Sequence, residues 1–95
     1  MATEIDHSTL DARRKRLLFR CQHCGTREND ILIGGFAERR IAELGEGQLD
    51  RLETLLHESD IDLQNWIAGK EPVPAHLDHD VMAMLIDYRK NRWQT

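Results

Sequence analysis

Cys21-Gln-His-Cys24 and, just beyond it, Glu28 and Asp30 are the residues of this 95-residue chain whose types and spacing could carry chemistry. Paired thiolates at this spacing form half of many structural zinc sites. The other half is missing. His76 and His79 have two residues between them where a ligand pair wants about three to five, and His7 or His57 would have to be brought close by the fold. A zinc-binding adaptor using Cys21 and Cys24 is therefore the alternative reading. A redox dithiol needs a thiol acidified by a helix N-terminus and a cation. Cys21 falls near the end of a helical pattern, only Cys24 precedes one, and no strand leads into the pair. The plain reading of Cys21 is a small core residue. Glu28 and Asp30 are two apart and do not share a helix face, so a paired general acid and base is a weak proposal. They suit either the positive end of a helix dipole or a partner contact, and both readings stay open. No phosphate-cradling glycine loop, nucleophile elbow or His-Glu-x-x-His occurs, so no enzyme is expected.

These residues must be positioned by helices. Leu10, Leu17, Leu18 and Cys21 recur as one helical stripe, with Ser8 or Thr9 as the expected N-cap, Asp11 in the first turn and residues 1–8 flexible. Arg13, Lys15, Arg16 and Arg20 lie off the stripe and predict a cationic face. Gly25 ends this helix and Thr26 caps the next. There Ile31, Leu32, Ile33, Phe36, Ala37, Ile41 and Leu44 fill more than one face, as a central element would. Gly34 and Gly35, costing about 1 kcal/mol each in a helix, predict either close helix approach or a weak spot. Gly45 and Gly47 mark a turn before the Leu49, Leu52, Leu55, Leu56 stripe. A short fourth helix, capped by Ser59 or Asp60, carries Ile61, Leu63, Trp66 and Ile67 and ends at Gly69. Lys70 to Pro74 is a rigid linker. Leu77, Val81, Leu85 and Tyr88, with Met84 and Ile86, build the last helix; Trp66 belongs in the core and Trp93 at the surface. No stretch alternates, so the expectation is an all-α, small five-helix bundle, one domain over residues 9–93.

Charge narrows the partners. Residues 1–27 carry six Lys/Arg against three Asp/Glu, whereas residues 28–95 carry seven against fourteen. An acidic body suits a phosphate backbone poorly, and nucleic acid would be left to Arg13, Arg14, Lys15, Arg16 and Arg20 alone; none is expected as a partner. No apolar run approaches the ~18 residues of a membrane span, and no signal or transit pattern is present. A monomer in a reducing cytoplasm is the expectation, with no direct membrane insertion.

At Arg20 to Gly35 the chain resembles the succinate dehydrogenase assembly factors, the family of FAD assembly factors. Arg20, His23, Gly25, Thr26, Glu28 and Asp30, then Gly34, Phe36, Ala37 and Glu38, match its first block. Asp60-Ile-Asp-Leu-Gln-Asn-Trp66-Ile-Ala-Gly69 is similar to its second. The resemblance implies a helical, chaperone-like factor. Such a factor binds the flavoprotein subunit of succinate dehydrogenase or fumarate reductase and promotes covalent flavinylation of one of its histidines. It implies no cofactor of the factor's own, only FAD held by the partner. Carried over by position, the partner-binding residues are Arg20, His23, Cys24, Gly25, Thr26, Arg27, Glu28 and Asp30. Cys24 stands where the family has an arginine. A cysteine cannot make arginine's bidentate charged contact, and Arg27 is the nearest substitute in sequence.

Overall fold

The structure is a computed structural model that describes residues 10–93, with the backbone alone for Trp93. The expected flexible segment 1–8 and the expected exposure of Trp93 lie outside what is described.

The first helix, α1 (Ala12–Gln22), starts where the Asp11 side chain accepts the Arg14 N–H at 2.8 Å. Asp11 is thus the cap, in place of Ser8 or Thr9, because its carboxylate both satisfies that donor and pairs with Arg14 Nη1 at 2.7 Å. Arg14 then reaches across to the Ile41 and Leu44 carbonyls, fastening α1 to the end of the second helix. That second helix, α2 (Arg27–Arg40), buries Leu32, Ile33, Phe36 and Ala37 and runs into a 3₁₀ turn, Ile41–Glu43. It is the hub expected, touching α1 and two later helices. Both glycines are points of close approach. A Cβ on Gly34 would lie 3.1 Å from the Gln22 Cα, so α1 could not lie so near with any side chain there. One on Gly35 would lie 2.5 Å from the Tyr88 hydroxyl.

Three helices close the core: α3 (Glu46–Leu55), α4 (Asp60–Ala68) and α5 (Asp80–Trp93). Gly45 caps α3, its N–H donating to Gln48 Oε1 at 2.9 Å, so Gly47 belongs to the helix and not to the turn. Ser59 caps α4 through the Asp62 N–H at 3.1 Å, and Gly69 ends it in the left-handed region at φ +79°. Pro74 precedes a 3₁₀ turn, Ala75–Leu77, so Leu77 reaches the core from that turn and not from the last helix. His79 then caps α5, its Nδ1 accepting the Met82 N–H at 3.2 Å.

Three expectations about faces are corrected. Ile31 and Ile61 are exposed, because the neighbours of α2 and α4 cover other sides of those helices. Met82, not Met84, is the fully buried methionine of α5. The cationic face of α1 is partly neutralised. Arg13 meets Glu46 at 2.8 Å, Asp50 at 2.5 Å and Glu53 at 3.2 Å, with Arg20 3.7 Å from Glu53. No strand occurs among the described residues, and no helix there is long and apolar enough to cross a membrane.

Candidate functional site

His23 to Thr26 join α1 to α2, and their shape is set by α4. The Cys24 N–H donates to Asp30 Oδ1 at 2.5 Å, folding the loop back on the first turn of α2. Thr26 Oγ1 accepts from the Asn29 N–H at 3.3 Å as the N-cap and from Gln64 Nε2 of α4 at 3.0 Å. Gly25 sits at φ +114°, and a Cβ there would lie 2.7 Å from Asp60 Oδ2, so only glycine fits both the backbone and the space. Beneath it, Asn29 is fully buried and donates from Nδ2 to the Asp60 carbonyl at 3.0 Å. Its Oδ1 has no hydrogen-bond partner among the described residues.

Sequence reasoning missed this Asn29–Asp60 clamp. An amide among the apolar residues of a hub helix was the available signal; nothing local marked Asp60 as its acceptor.

Neither thiol is set up as a nucleophile. Cys21 is in the core, where burial pushes its thiol up to about 12. Cys24 is half-buried, its Sγ 3.1 Å from the Cys21 carbonyl oxygen. Burial, then the nearby Asp30 and Asp60 carboxylates, push it up to about 11 against the pull of Arg20. Both are therefore neutral thiols near pH 7 and poor nucleophiles. His79 is committed to capping α5. Among the described residues no three His, Cys, Asp or Glu side chains converge as a metal site would need.

Several charged side chains of the loop and of the first turn of α2 face outward. Arg27 and Glu28 are exposed and have no ion-pair partner among the described residues. Asp30 is half-buried and spent on the loop, so the two acids that looked alike in sequence do different work. His23 is exposed; its ring lies 4.1 Å from that of Phe19 and nearly parallel to it. Its Nδ1 is 2.8 Å from the Phe19 carbonyl oxygen. A carbonyl can only accept, so the neutral ring carries its proton on Nδ1 and presents Nε2 outward as an acceptor. Beside it a small cleft of about 170 Å³ is lined by Arg20, His23, Cys24, Leu56, Asp60 and Leu63. The eight sequence-derived residues, Arg20, His23 to Glu28 and Asp30, run from the end of α1 through the loop into the first turn of α2. A larger depression of about 470 Å³, between Arg40 and Tyr88, shares no residue with it.

Comparison with known proteins identifies the family of the chain. A family model described as flavinator of succinate dehydrogenase matches residues 15–89. The chain is 41% identical over 73 residues to a FAD assembly factor of Acetobacter pasteurianus, a stretch covering 77% of this chain and 67% of the relative. It is 37% identical over 84 residues to a mitochondrial succinate dehydrogenase assembly factor 2 of Dictyostelium discoideum, covering 88% and 60%. For the protein of that name from Danio rerio the identity is 36% over 85 residues, covering 87% and 54%. The chain therefore spans between about half and two thirds of the length of these curated relatives.

Proposed function

The chain belongs to the succinate dehydrogenase flavinator family, and from that premise we propose that it is an assembly factor for a flavoprotein. It binds the flavoprotein subunit of succinate dehydrogenase, or of a fumarate reductase, and promotes covalent attachment of FAD to that subunit. The observation that carries this reading is the loop itself. Gly25 lets the loop turn tightly against Asp60 of α4, while Arg27 and Glu28 stand exposed beside it without partners among the described residues. The elements behind the loop are fixed by Thr26, Asn29 and Asp60, so the surface is preorganised and little ordering entropy is lost on docking.

The factor supplies no nucleophile and no base to the bond it promotes. Its two thiols are neutral, and its exposed acid sits on a rigid helix start and not in a closed pocket. FAD is held by the partner, and the factor's part is to dock and to order the flavoprotein. It acts as a monomer in a reducing compartment, the cytoplasm, which suits two free cysteines.

The test is co-production of the flavoprotein subunit with the parent factor or with Glu28→Ala, followed by in-gel fluorescence of covalently bound flavin and calorimetry of the purified pair. Glu28→Ala is expected to lower flavinylation and weaken binding while leaving the melting temperature unchanged. Unchanged flavinylation and affinity would remove the loop from the reading.

A further inference from the structure

Among the described residues three large apolar side chains are exposed: Phe19 at 61%, Ile31 at 40% and Ile61 at 68%. Isolated exposed apolar residues are ordinary on any surface. These three are not scattered. Phe19 lies in the last turn but one of α1 and stacks on His23, the residue that caps the helix into the loop. Ile31 lies one turn into α2 from Arg27. Ile61 follows Asp60 in α4, and the Asp60 carboxylate abuts Gly25 while its carbonyl holds Asn29. All three therefore belong to the end of the bundle that carries the loop, and the opposite end, where α2 runs into its 3₁₀ turn, presents none.

We propose that Phe19, Ile31 and Ile61 are apolar anchors of the docking surface, with Phe19 the principal one, and that their occupant is the flavoprotein subunit. This rests on the reading of the loop given above and adds to it the residues that supply affinity. Protein interfaces concentrate binding energy in a few large side chains ringed by polar groups that exclude water. Here the exposed His23, Arg27 and Glu28 and the half-buried Arg20 supply polar groups from the same end of the bundle. Phe19 carries the right kind of rigidity. Its ring is braced by His23, whose Nδ1–H donates to the Phe19 carbonyl, so the pair stands as a platform before the partner arrives. The complementary partner surface has an apolar recess for Phe19 and a hydrogen-bond donor within reach of His23 Nε2. Ile61 and Ile31 extend the contact to either side of the loop.

The experiment is calorimetry of the purified flavoprotein subunit with the parent chain, Phe19→Ala, Phe19→Tyr, Ile61→Ala and Glu28→Ala, with circular dichroism melts of each variant. Phe19→Ala is expected to weaken binding at least about tenfold and Ile61→Ala a few fold, with melting temperatures unchanged because both side chains are exposed. Phe19→Tyr is expected to retain affinity, since the flat ring is kept. Full affinity of Phe19→Ala and Ile61→Ala beside a weakened Glu28→Ala would overturn the anchors and leave the loop reading standing. Full affinity of all three would overturn the loop reading itself. Sedimentation of the chain alone completes the test. A dimer that dissociates on Phe19→Ala, with flavoprotein binding intact, would assign the face to a second copy of this chain and overturn the proposal.

Discussion

Replacing Gly25 by alanine tests whether α4 shapes the loop, and its cost can be worked from two features of the structure. At φ +114° the residue lies beyond the left-handed well near +57°, so a Cβ there carries backbone strain of about 1–3 kcal/mol. That Cβ would also lie 2.7 Å from Asp60 Oδ2, closer than real Cβ contacts come. The carboxylate is the far end of a side chain and can turn away, which keeps the steric cost near 1 kcal/mol, the low end for an overpacked site. The sum is about 3 kcal/mol. For a domain of this size each kcal/mol shifts the melting temperature by roughly 4–8 °C, giving a fall of about 12–24 °C. Gly69→Ala is the control: it shares the positive φ, at +79°, but has nothing within 4 Å of the added carbon. Strain alone should cost it about 1 kcal/mol, roughly 4–8 °C. Melts followed by circular dichroism provide the comparison. A Gly25→Ala melt no lower than that of Gly69→Ala would show that Asp60 does not press on the loop, and the account of how α4 positions the site would fail.

Asn29→Ala removes the amide that donates to the Asp60 carbonyl and leaves that acceptor without its partner; urea unfolding should show a loss of about 1–3 kcal/mol, and an unchanged midpoint would mean the clamp is idle. Acid should weaken α5 through His79. Burial lowers its pKa below the ordinary 6.5, so the neutral, capping form is the folded one; stability is complete above that ordinary value and declines as pH falls through the lowered one. His79→Asn, which keeps an N-cap acceptor but does not titrate there, should flatten the melting temperature between about pH 7 and 5, and an equally steep profile would clear His79 of the effect. Cys24→Arg restores the cation at the family's position, next to Asp30 and Asp60; it should preserve or strengthen flavoprotein binding in calorimetry, and a marked loss would break the positional match.

The helices were legible because the signals that make them are local. Thr26 and Ser59 cap by bonding an N–H three residues on, and the Leu49, Leu52, Leu55 stripe needs only the helical period to be seen. Asp11 was read as a first-turn acid when it is the cap. Ser, Thr and Asp within four residues all satisfy the capping rule, and the added pairing with Arg14, itself drawn toward Ile41 and Leu44, favours the later start. Ile31 and Ile61 were read as core on hydrophobicity alone. Which side of a helix is covered depends on where its neighbours lie, and that is not written in the helix.

By itself the sequence determined the number and order of the helices, the glycine at the first turn and the likeness to the flavinator family. Tertiary structure alone decided that Asp30 turns inward while Glu28 stays out, and that Asn29 and Asp60 brace the loop from below. It also decided that the exposed apolar residues gather at the loop's end of the bundle. The reason is one of range: capping and periodicity act within a turn of chain, whereas the Asn29–Asp60 bond joins residues 31 positions apart. Such a contact exists only once α2 and α4 have packed, and so do the site's final shape and charge.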